Sequence, residues 1–278
     1  MREGFGFRPS GLSKVIVIAR PISEDRLKFS ELILEKENRF LIVKSKTLRR
    51  SFKIDRSRVI PGLRSLTGIK RIDITGLTDY FIISPYDEAK HIGRIFIKKI
   101  DWEKVKIYSD RLGVCNLVLP DKLNLSSPNT FIVSAYSDKA FLPSNMFYLY
   151  YTKNKEDAKI FSLYFNSIVS IAQFVLNRPE TLGAYFRMRI EDWKKVYVMN
   201  VENLKNEEKA YLIEVFEKLK NIEFPSIIEQ LENRFWARVE LDKSILKILG
   251  FSDKEIDYWL PKVYDAIVKE LKAMREVR

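Results

Sequence analysis

The chain has 278 residues, 46% of them apolar and 31% charged, with a formal net charge of +12. This composition excludes a disordered or fibrous protein, and a chain of this length buries enough surface to fold without a disulfide or a structural metal. The single cysteine, Cys115, excludes a disulfide framework and zinc sites with several cysteines. The single histidine, His91, excludes metal sites built from several histidines.

The positive charge is concentrated in the first part of the chain. Residues 1–110, called here the basic front, hold 24 basic and 14 acidic side chains. Residues 111–200 hold 11 and 7, and residues 201–278, called the tail, hold 14 and 16. Such an asymmetry predicts a polyanionic partner for the basic front and a different role for the tail.

One segment of the basic front, residues 44–71, holds ten basic side chains and the single acid Asp55. An ordinary solvated surface usually interleaves acids as ion-pair partners, and here they are missing, so we predict a nucleic-acid contact. Lysines are expected to contact phosphates and a subset of the arginines base edges, because a guanidinium binds phosphate or guanine in a bidentate way. The predicted contacts are Lys44, Lys46, Arg49, Arg50, Lys53, Arg56, Arg58, Arg64, Lys70 and Arg71.

Short apolar runs rich in β-branched residues predict strands through the first half of the chain. Turn residues, mostly glycine and proline, separate these runs at short spacing. The predicted strands cover residues 14–20, 40–44, 79–84, 92–98, 105–109, 114–119, 130–136 and 147–152. Without regular alternation of strands and helices, the pattern favours an irregular, mostly antiparallel β-rich region.

From Glu156 the apolar spacing becomes helical and predicts one central buried helix to about residue 177, ended by Pro179. Its stretch without charge, residues 160–177, has the length of a membrane span. Because this stretch contains serine, asparagine and glutamine, a core helix of a soluble, cytoplasmic protein with no membrane partner is the better interpretation. Two further strands are predicted over residues 184–190 and 195–199.

The tail is predicted to be helical over residues 206–220, 224–238 and 242–249, with Gly250 as a stop. Ser252 and Glu255 form a capping box for a last helix that ends near Met274. The predicted fold class is α+β: an irregular, mostly antiparallel β-rich region around a central buried helix, followed by a helical tail. The predicted domains are residues 1–200 and a helical C-terminal subdomain at residues 201–278.

Several segments together resemble one protein family, the adenine-N6 DNA methyltransferases of restriction–modification systems, in their C-terminal target-recognition region. The similar segments are residues 59–65, 78–83, 124–130, 156–167, 178–185, 190–198 and 241–251. Residues 156–167 resemble the family's "ayLNS" helix, and residues 178–185 resemble the Arg-x-Glu-Thr-x-Gly-Ala turn that follows it. The patterns are individually loose, but they stand in the family's order.

The resemblance implies sequence-specific binding of double-stranded DNA, with Arg178, Thr181 and Arg187 aimed at DNA from the turn and the strand after it. It also implies a methyltransferase catalytic domain or subunit as partner, which would bind S-adenosylmethionine. The Pro-Pro dipeptide of that family's catalytic tetrapeptide does not occur here. We therefore expect neither a catalytic residue, nor a metal site, nor a cofactor of its own in this chain.

Two alternative functions are compatible with the sequence. Its 13% aromatic residues beside the basic front would suit an RNA- or single-strand-binding protein, although most of the aromatics lie within apolar runs typical of a core. A magnesium-dependent nuclease could use Asp79 with Glu88 and Lys90, an acid followed by an acid-x-Lys tripeptide. Such triplets are frequent by chance in a highly charged chain.

Overall fold

The fold is known from a computed structural model that describes residues 2–3, 14–21, 32–36, 40–45, 50–55, 57, 59–85, 99–100, 115–144, 146–177 and 186–276. Its strands are β1 (Arg2–Glu3), β2 (Lys14–Pro21), β3 (Leu32–Lys36), β4 (Phe40–Ser45), β5 (Arg50–Asp55), β6 (Val59–Leu63), β7 (Asp79–Pro85), β8 (Lys99–Ile100), β9 (Cys115–Pro120), β10 (Lys122–Leu123), β11 (Ala135–Pro143), β12 (Phe147–Leu149) and β13 (Phe186–Arg187). Its helices are α1 (Lys155–Asn166), α2 (Ile168–Leu176), α3 (Ile190–Trp193), α4 (Asn206–Leu219), α5 (Ile227–Glu232), α6 (Trp236–Ile248) and α7 (Asp253–Glu276). A 3₁₀ turn, Val201–Asn203, precedes α4.

One mixed sheet contains eleven of these strands, in the order β1-β12-β9-β11-β6-β7-β2-β3-β4-β5, with β8 paired to β2. The paired neighbours are antiparallel except β11 with β6 and β2 with β3. Strands β10 and β13 form a separate antiparallel ribbon. Apart from β13, which lies between α2 and α3, the helices follow the strands in sequence, which confirms the α+β class.

Most predicted strands that fall on described residues are present within a few residues of their predicted ends, and those at 92–98 and 105–109 lie outside the described part. The strand predicted over 130–136 is wrong, since β11 begins only at Ala135. The reason is a long-range side chain: the Asn166 amide oxygen accepts the backbone N–H groups of Val133 at 2.7 Å and Ser134 at 3.2 Å. These backbone donors are therefore satisfied without a neighbouring strand.

The strand predicted over 195–199 is also wrong, for a similar reason. The Tyr197 N–H donates to the side-chain oxygen of Gln173 at 2.7 Å, and its carbonyl accepts from the Tyr164 hydroxyl at 2.6 Å. Both backbone groups are thus held by side chains of α1 and α2. Of the strand predicted over 184–190, residues 184–185 lie outside the described part, Phe186–Arg187 form β13, and α3 begins at Ile190.

The predicted central helix is two helices that meet at Ser167 with a bend of 56°. In the described residues no single helix has the length and apolar character to cross a membrane, and the bent pair α1–α2 reaches that threshold only by length and composition. Both helices are packed inside the protein, where α1 buries Leu163 and Phe165 completely and α2 buries Ile171 and Phe174. These two helices are the centre of the structure, as the apolar spacing predicts.

The tail packs on these central helices. One continuous apolar core runs from Leu63 in β6 to Met274 in α7 and crosses the division predicted at residue 200.

Two predicted helix ends in the tail are confirmed: Gly250 has a φ of +93° just after α6, and Ser252 and Glu255 form the capping box of α7 with bonds of 2.8 and 3.4 Å. The helix predicted over 224–238 is wrong, because Arg234 with a φ of +49° separates α5 from α6.

Gly62 occupies a position in β6 where only hydrogen fits. A Cβ at this residue would lie 2.6 Å from the ring of Phe81, which is completely buried on β7. We expect Gly62→Ala to lower the free energy of unfolding by about 1–3 kcal/mol, since overpacking forces the ring or the strand to shift. Urea unfolding measures this loss, which should be smaller in a Phe81→Leu background than in the wild type. Equal costs whether or not Phe81 is present would contradict the contact.

Candidate nucleic-acid interface

The basic segment 44–71 begins on the hairpin of β4 and β5, at the end of the strand order of the large sheet. Lys44 pairs with Ser51, and Arg50 pairs with Ser45. The Lys53 side chain is exposed, and the pairing places it opposite Ile42. The predicted contacts Lys46, Arg49, Arg56 and Arg58 lie outside the described residues. Cations on an edge strand also discourage pairing with other strands, so this position alone does not define a DNA contact.

The other three predicted cations of this segment lie after β6. The Arg64 backbone N–H donates to the Asp79 carboxylate at 2.8 Å, and the Arg71 guanidinium pairs with Glu223 of the tail at 2.7 Å. The Lys70 ammonium lies 5.8 Å from the centre of the Phe131 ring. The local excess of cations in the sequence is therefore partly compensated by an acid that stands about 150 residues later in the chain.

Asp79, the first residue of the alternative nuclease triplet, has a structural contact. Its carboxylate is completely buried and accepts the Arg64 backbone N–H, which holds the loop after β6 against β7. Glu88 and Lys90 lie outside the described part. Among the described residues, no group of three or more His, Cys, Asp or Glu side chains could hold a metal ion.

Three segments that are apart in the sequence meet in one depression, called here the polar groove. Its volume is about 330 Å³. One wall comes from the loop after Arg64, and the other comes from β10 with the turns that follow it and from Met146 and Phe147 at the start of β12. The lining residues are Ser65, Leu66, Thr67, Pro120, Lys122, Leu123, Asn124, Ser127, Asn129, Thr130, Ile132, Met146 and Phe147. Hydroxyl and amide groups thus stand above buried apolar side chains.

Backbone hydrogen bonds give the second wall its shape. The segment 124–130 makes two successive turns, closed by the Ser127 N–H to the Asn124 carbonyl and the Thr130 N–H to the Ser127 carbonyl, both 3.1 Å long. The Asn129 N–H donates to the Ser127 hydroxyl at 3.2 Å. The Thr130 carbonyl accepts from Ile227 at the start of α5, so the tail holds this wall in place.

The ribbon of β10 and β13 brings a predicted contact, Arg187, to this groove. Arg187 pairs with Lys122, which lines the groove, and both side chains are exposed. The Asp121 carboxylate accepts from the Arg187 guanidinium at 3.4 Å and from the Tyr148 hydroxyl at 3.0 Å. Two cations therefore stand side by side next to the polar groove. Arg178 and Thr181, predicted on the turn before β13, lie outside the described residues.

The distribution of charged residues along the sequence does not indicate the groove, because most of its polar side chains are neutral. Ser65, Lys122 and Asn129 are not among the predicted contacts, although Ser65 and Asn129 stand in segments that resemble the methyltransferase region. That resemblance is the signal in the sequence that could have found them. These residues come together only in the folded sheet, where β11 pairs with β6 on one side and with β9 on the other.

The aromatic side chains behave mostly as core residues. Trp193 lies edge-on to Phe165 and Phe174, with ring centres 6.0 and 5.1 Å apart, and all three are buried. Tyr258 and Trp259 on α7 are more than half exposed and lie beside Lys262. None of these five aromatics lines the polar groove.

The fold is shared with part of a solved structure. The crystal structure of the type IIG restriction endonuclease BpuSI is similar to this chain with a TM-score of 0.57 and 14% sequence identity. The similarity covers 80% of this chain but only 27% of the BpuSI chain, so this chain corresponds to about a quarter of that protein. No model of a known protein family and no curated protein matches the chain. At this identity, the comparison establishes a common fold.

Proposed function

We propose that this protein binds double-stranded DNA in a sequence-specific way, as the target-recognition part of an adenine-N6 DNA methyltransferase in a restriction–modification system. The observation that carries the proposal is the fold shared with part of a restriction endonuclease over 80% of the chain. The basic front, the resemblance to the methyltransferase region, and the cations Lys122 and Arg187 beside the polar groove support the same function. DNA affinity generally depends on such cations, which neutralise phosphates.

The proposal includes a catalytic partner. A methyltransferase domain or subunit would bind S-adenosylmethionine and carry out the methyl transfer, while this chain selects the DNA site. The chain's own residues would bind and orient the duplex: cations position its phosphates, and uncharged polar groups discriminate between bases. The tail would support this surface through contacts such as the bond from Ile227 to Thr130.

Selection from a pool of duplexes with a randomised centre tests the proposed function. We expect the protein to enrich one short motif, since a target-recognition module must discriminate against each wrong base pair by about 1–3 kcal/mol. The same pool as single strands serves as the control. Retention of duplexes without any enriched motif would contradict sequence-specific recognition, and stronger retention of single strands would favour the single-strand alternative.

A further inference from the structure

A second depression, called here the apolar groove, lies on the tail between α2 and the first half of α7. Its volume is about 410 Å³. Val169 and Ala172 line it from α2, Phe251 from the turn after α6, and Trp259 and Val263 from α7. The groove therefore has the size of a site that holds a large side chain or a small ligand, about 300–1,000 Å³.

The charged groups at the apolar groove are satisfied within the chain. Glu255 is the single charged residue of the lining, and its carboxylate accepts the N–H and the hydroxyl of Ser252 at 2.8 and 2.6 Å. The neighbouring acids Asp253 and Asp257 pair with lysines of α6 at 2.8 and 2.6 Å. Because the groove leaves apolar surface open and no unpaired charge, it suits an apolar group of a protein better than a phosphate or a charged ligand.

Large apolar side chains around this groove are exposed to an unusual degree. Trp259 and Phe251 are 55% and 46% exposed, and Tyr258 and Leu249 are 57% and 42% exposed. All four fall within residues 249–259. Single exposed apolar residues are ordinary, whereas a contiguous group with two aromatic anchors is typical of a surface that another protein covers.

The same face carries a recess and, beside it, a side chain that projects. A two-fold contact between identical chains requires both features on one face, because each surface has to complement itself. The charge distribution also allows such a contact. Helix α7 holds five basic and six acidic side chains, whereas the basic front holds 24 and 14, so two copies meeting through α7 avoid the repulsion between their basic fronts.

The length of α7 provides enough area for a stable contact. Ala266 and Ala273 are exposed and follow Trp259 at intervals of seven residues, which places them on the same face of the helix. The 24 residues of α7 span about 36 Å. A contact of this length that is about 20 Å wide, the width of α7 with the groove beside it, covers about 700 Å² per copy, and standard interfaces cover about 600–1,000 Å².

We propose that two copies of this chain associate through the apolar groove, with Trp259 of each copy packed into the groove of the other. This inference goes beyond the proposed function, and its test uses no DNA. It assigns the tail a role of its own, as the sign of its charge suggests.

Sedimentation velocity of the full chain, over a range of about 1–50 μM, tests this association. Interfaces of this size have dissociation constants in the micromolar range or below, so the mass should rise toward twice the monomer mass of 32.8 kDa. Trp259→Glu and Ala266→Arg, two changes on the same face, should each raise the dissociation constant of the dimer about a hundredfold or more, because each places a charge in both halves of an apolar contact.

Two variants with the same substitutions elsewhere are the matched controls. Trp236→Glu changes a tryptophan that is 50% exposed on α6, and Ala210→Arg changes an exposed alanine on α4. Neither residue lines the apolar groove, so both variants should keep the wild-type dissociation constant. Thermal unfolding of each variant establishes that it is folded.

Three results would overturn the proposal. A wild-type protein that stays monomeric over the whole range would leave the groove to a different protein. A dimer that survives in both Trp259→Glu and Ala266→Arg would place the contact between copies on another face. Equal effects in the groove variants and in their controls would mean that the type of substitution, rather than this face, governs association.

Discussion

Arg238→Met is expected to lower the free energy of unfolding by about 3–5 kcal/mol, because it leaves the buried Asp242 carboxylate without its cationic partner. Both residues lie on α6, one helical turn apart, with 1% or less of each side chain exposed. The guanidinium and the carboxylate are 3.6 Å apart. Removing one charge from a buried pair is usually far more costly than removing both.

The two charges occupy the break between the central helices. Arg238 donates to the Asn166 carbonyl at the end of α1 and to the Gln230 side-chain oxygen. Asp242 accepts the Ile168 N–H at the start of α2, at 2.7 Å, and the Tyr264 hydroxyl, at 2.6 Å. A cation at a helix C-terminus and an anion at an N-terminus are both favourable to the helix dipoles.

The loss should also depend on pH in a defined direction. Burial raises the pKa of Asp242, while the Arg238 charge and the hydrogen bonds from Tyr264 and Ile168 oppose that rise. Without Arg238 the opposing charge is gone, so the carboxyl of the variant holds its proton to higher pH. When the pKa of a carboxyl group is higher in the folded than in the unfolded protein, its protonated form stabilises the fold at pH values below the unfolded pKa of about 3.9. This stabilisation is lost as the pH rises through the folded pKa. The variant should therefore lose more stability at neutral than at acidic pH.

Urea unfolding at neutral and acidic pH measures both effects. Lys243→Met is the matched control on the same helix: Lys243 pairs with Asp257 on the surface, with 40% and 64% of the two side chains exposed, and its loss should cost less than about 1 kcal/mol. If Arg238→Met cost no more than this control, the buried pair would not be holding the two helices together.

Reversing Arg49, Arg50, Arg56 and Arg58 to glutamate is expected to abolish most duplex affinity. With about six phosphate contacts, the wild-type plot of log affinity against log salt should have a slope near −5, and each phosphate contact that the reversal removes should make the slope about 0.9 less negative. Reversal also adds repulsion from the phosphates, so the loss at low salt should reach about a thousandfold or more. Gel shifts over a series of salt concentrations measure both quantities.

A control variant carries the same change in charge elsewhere. Lys205, Lys254, Lys269 and Arg275 are exposed in the tail, and their reversal to glutamate changes the net charge equally. We expect a much smaller loss and little change in the salt slope, since these side chains lie outside the basic front. Equal losses in the two variants would mean that net charge, rather than the basic front, governs binding. An unchanged DNA affinity in the variant with the four reversed arginines would contradict the predicted DNA contact.

The same salt series also tests the cations that form ion pairs within the protein. Arg71 is paired with Glu223, so its participation in DNA binding would require that pair to open or to be shared. Arg187 has a longer contact, 3.4 Å, with Asp121, and among the described residues Lys122 has no ion pair. The arginines of residues 49–58 and the pair at the groove therefore offer two separable contributions to affinity.

The sequence by itself determined the features that depend on nearby residues. Short apolar runs rich in β-branched residues identified strands such as β2, β4 and β7, helical spacing identified the buried centre and the tail, and Ser252 with Glu255 marked the start of α7. These signals are local because strand periodicity, helix periodicity and capping act over a few residues. Together they were sufficient for the α+β class.

Tertiary structure alone decided the features that depend on partners far along the chain. Asn166 binds the backbone of Val133 and Ser134, so the strand predicted there begins only after them. The buried pair Arg238 and Asp242 stabilises the break between α1 and α2 at Ser167, which apolar spacing could not reveal. Glu223 neutralised Arg71 across about 150 residues. The polar groove is of the same kind, because its two walls meet only when the sheet forms. The net charge of +12 is a property of the sequence, but where it can meet a polyanion is a property of the fold.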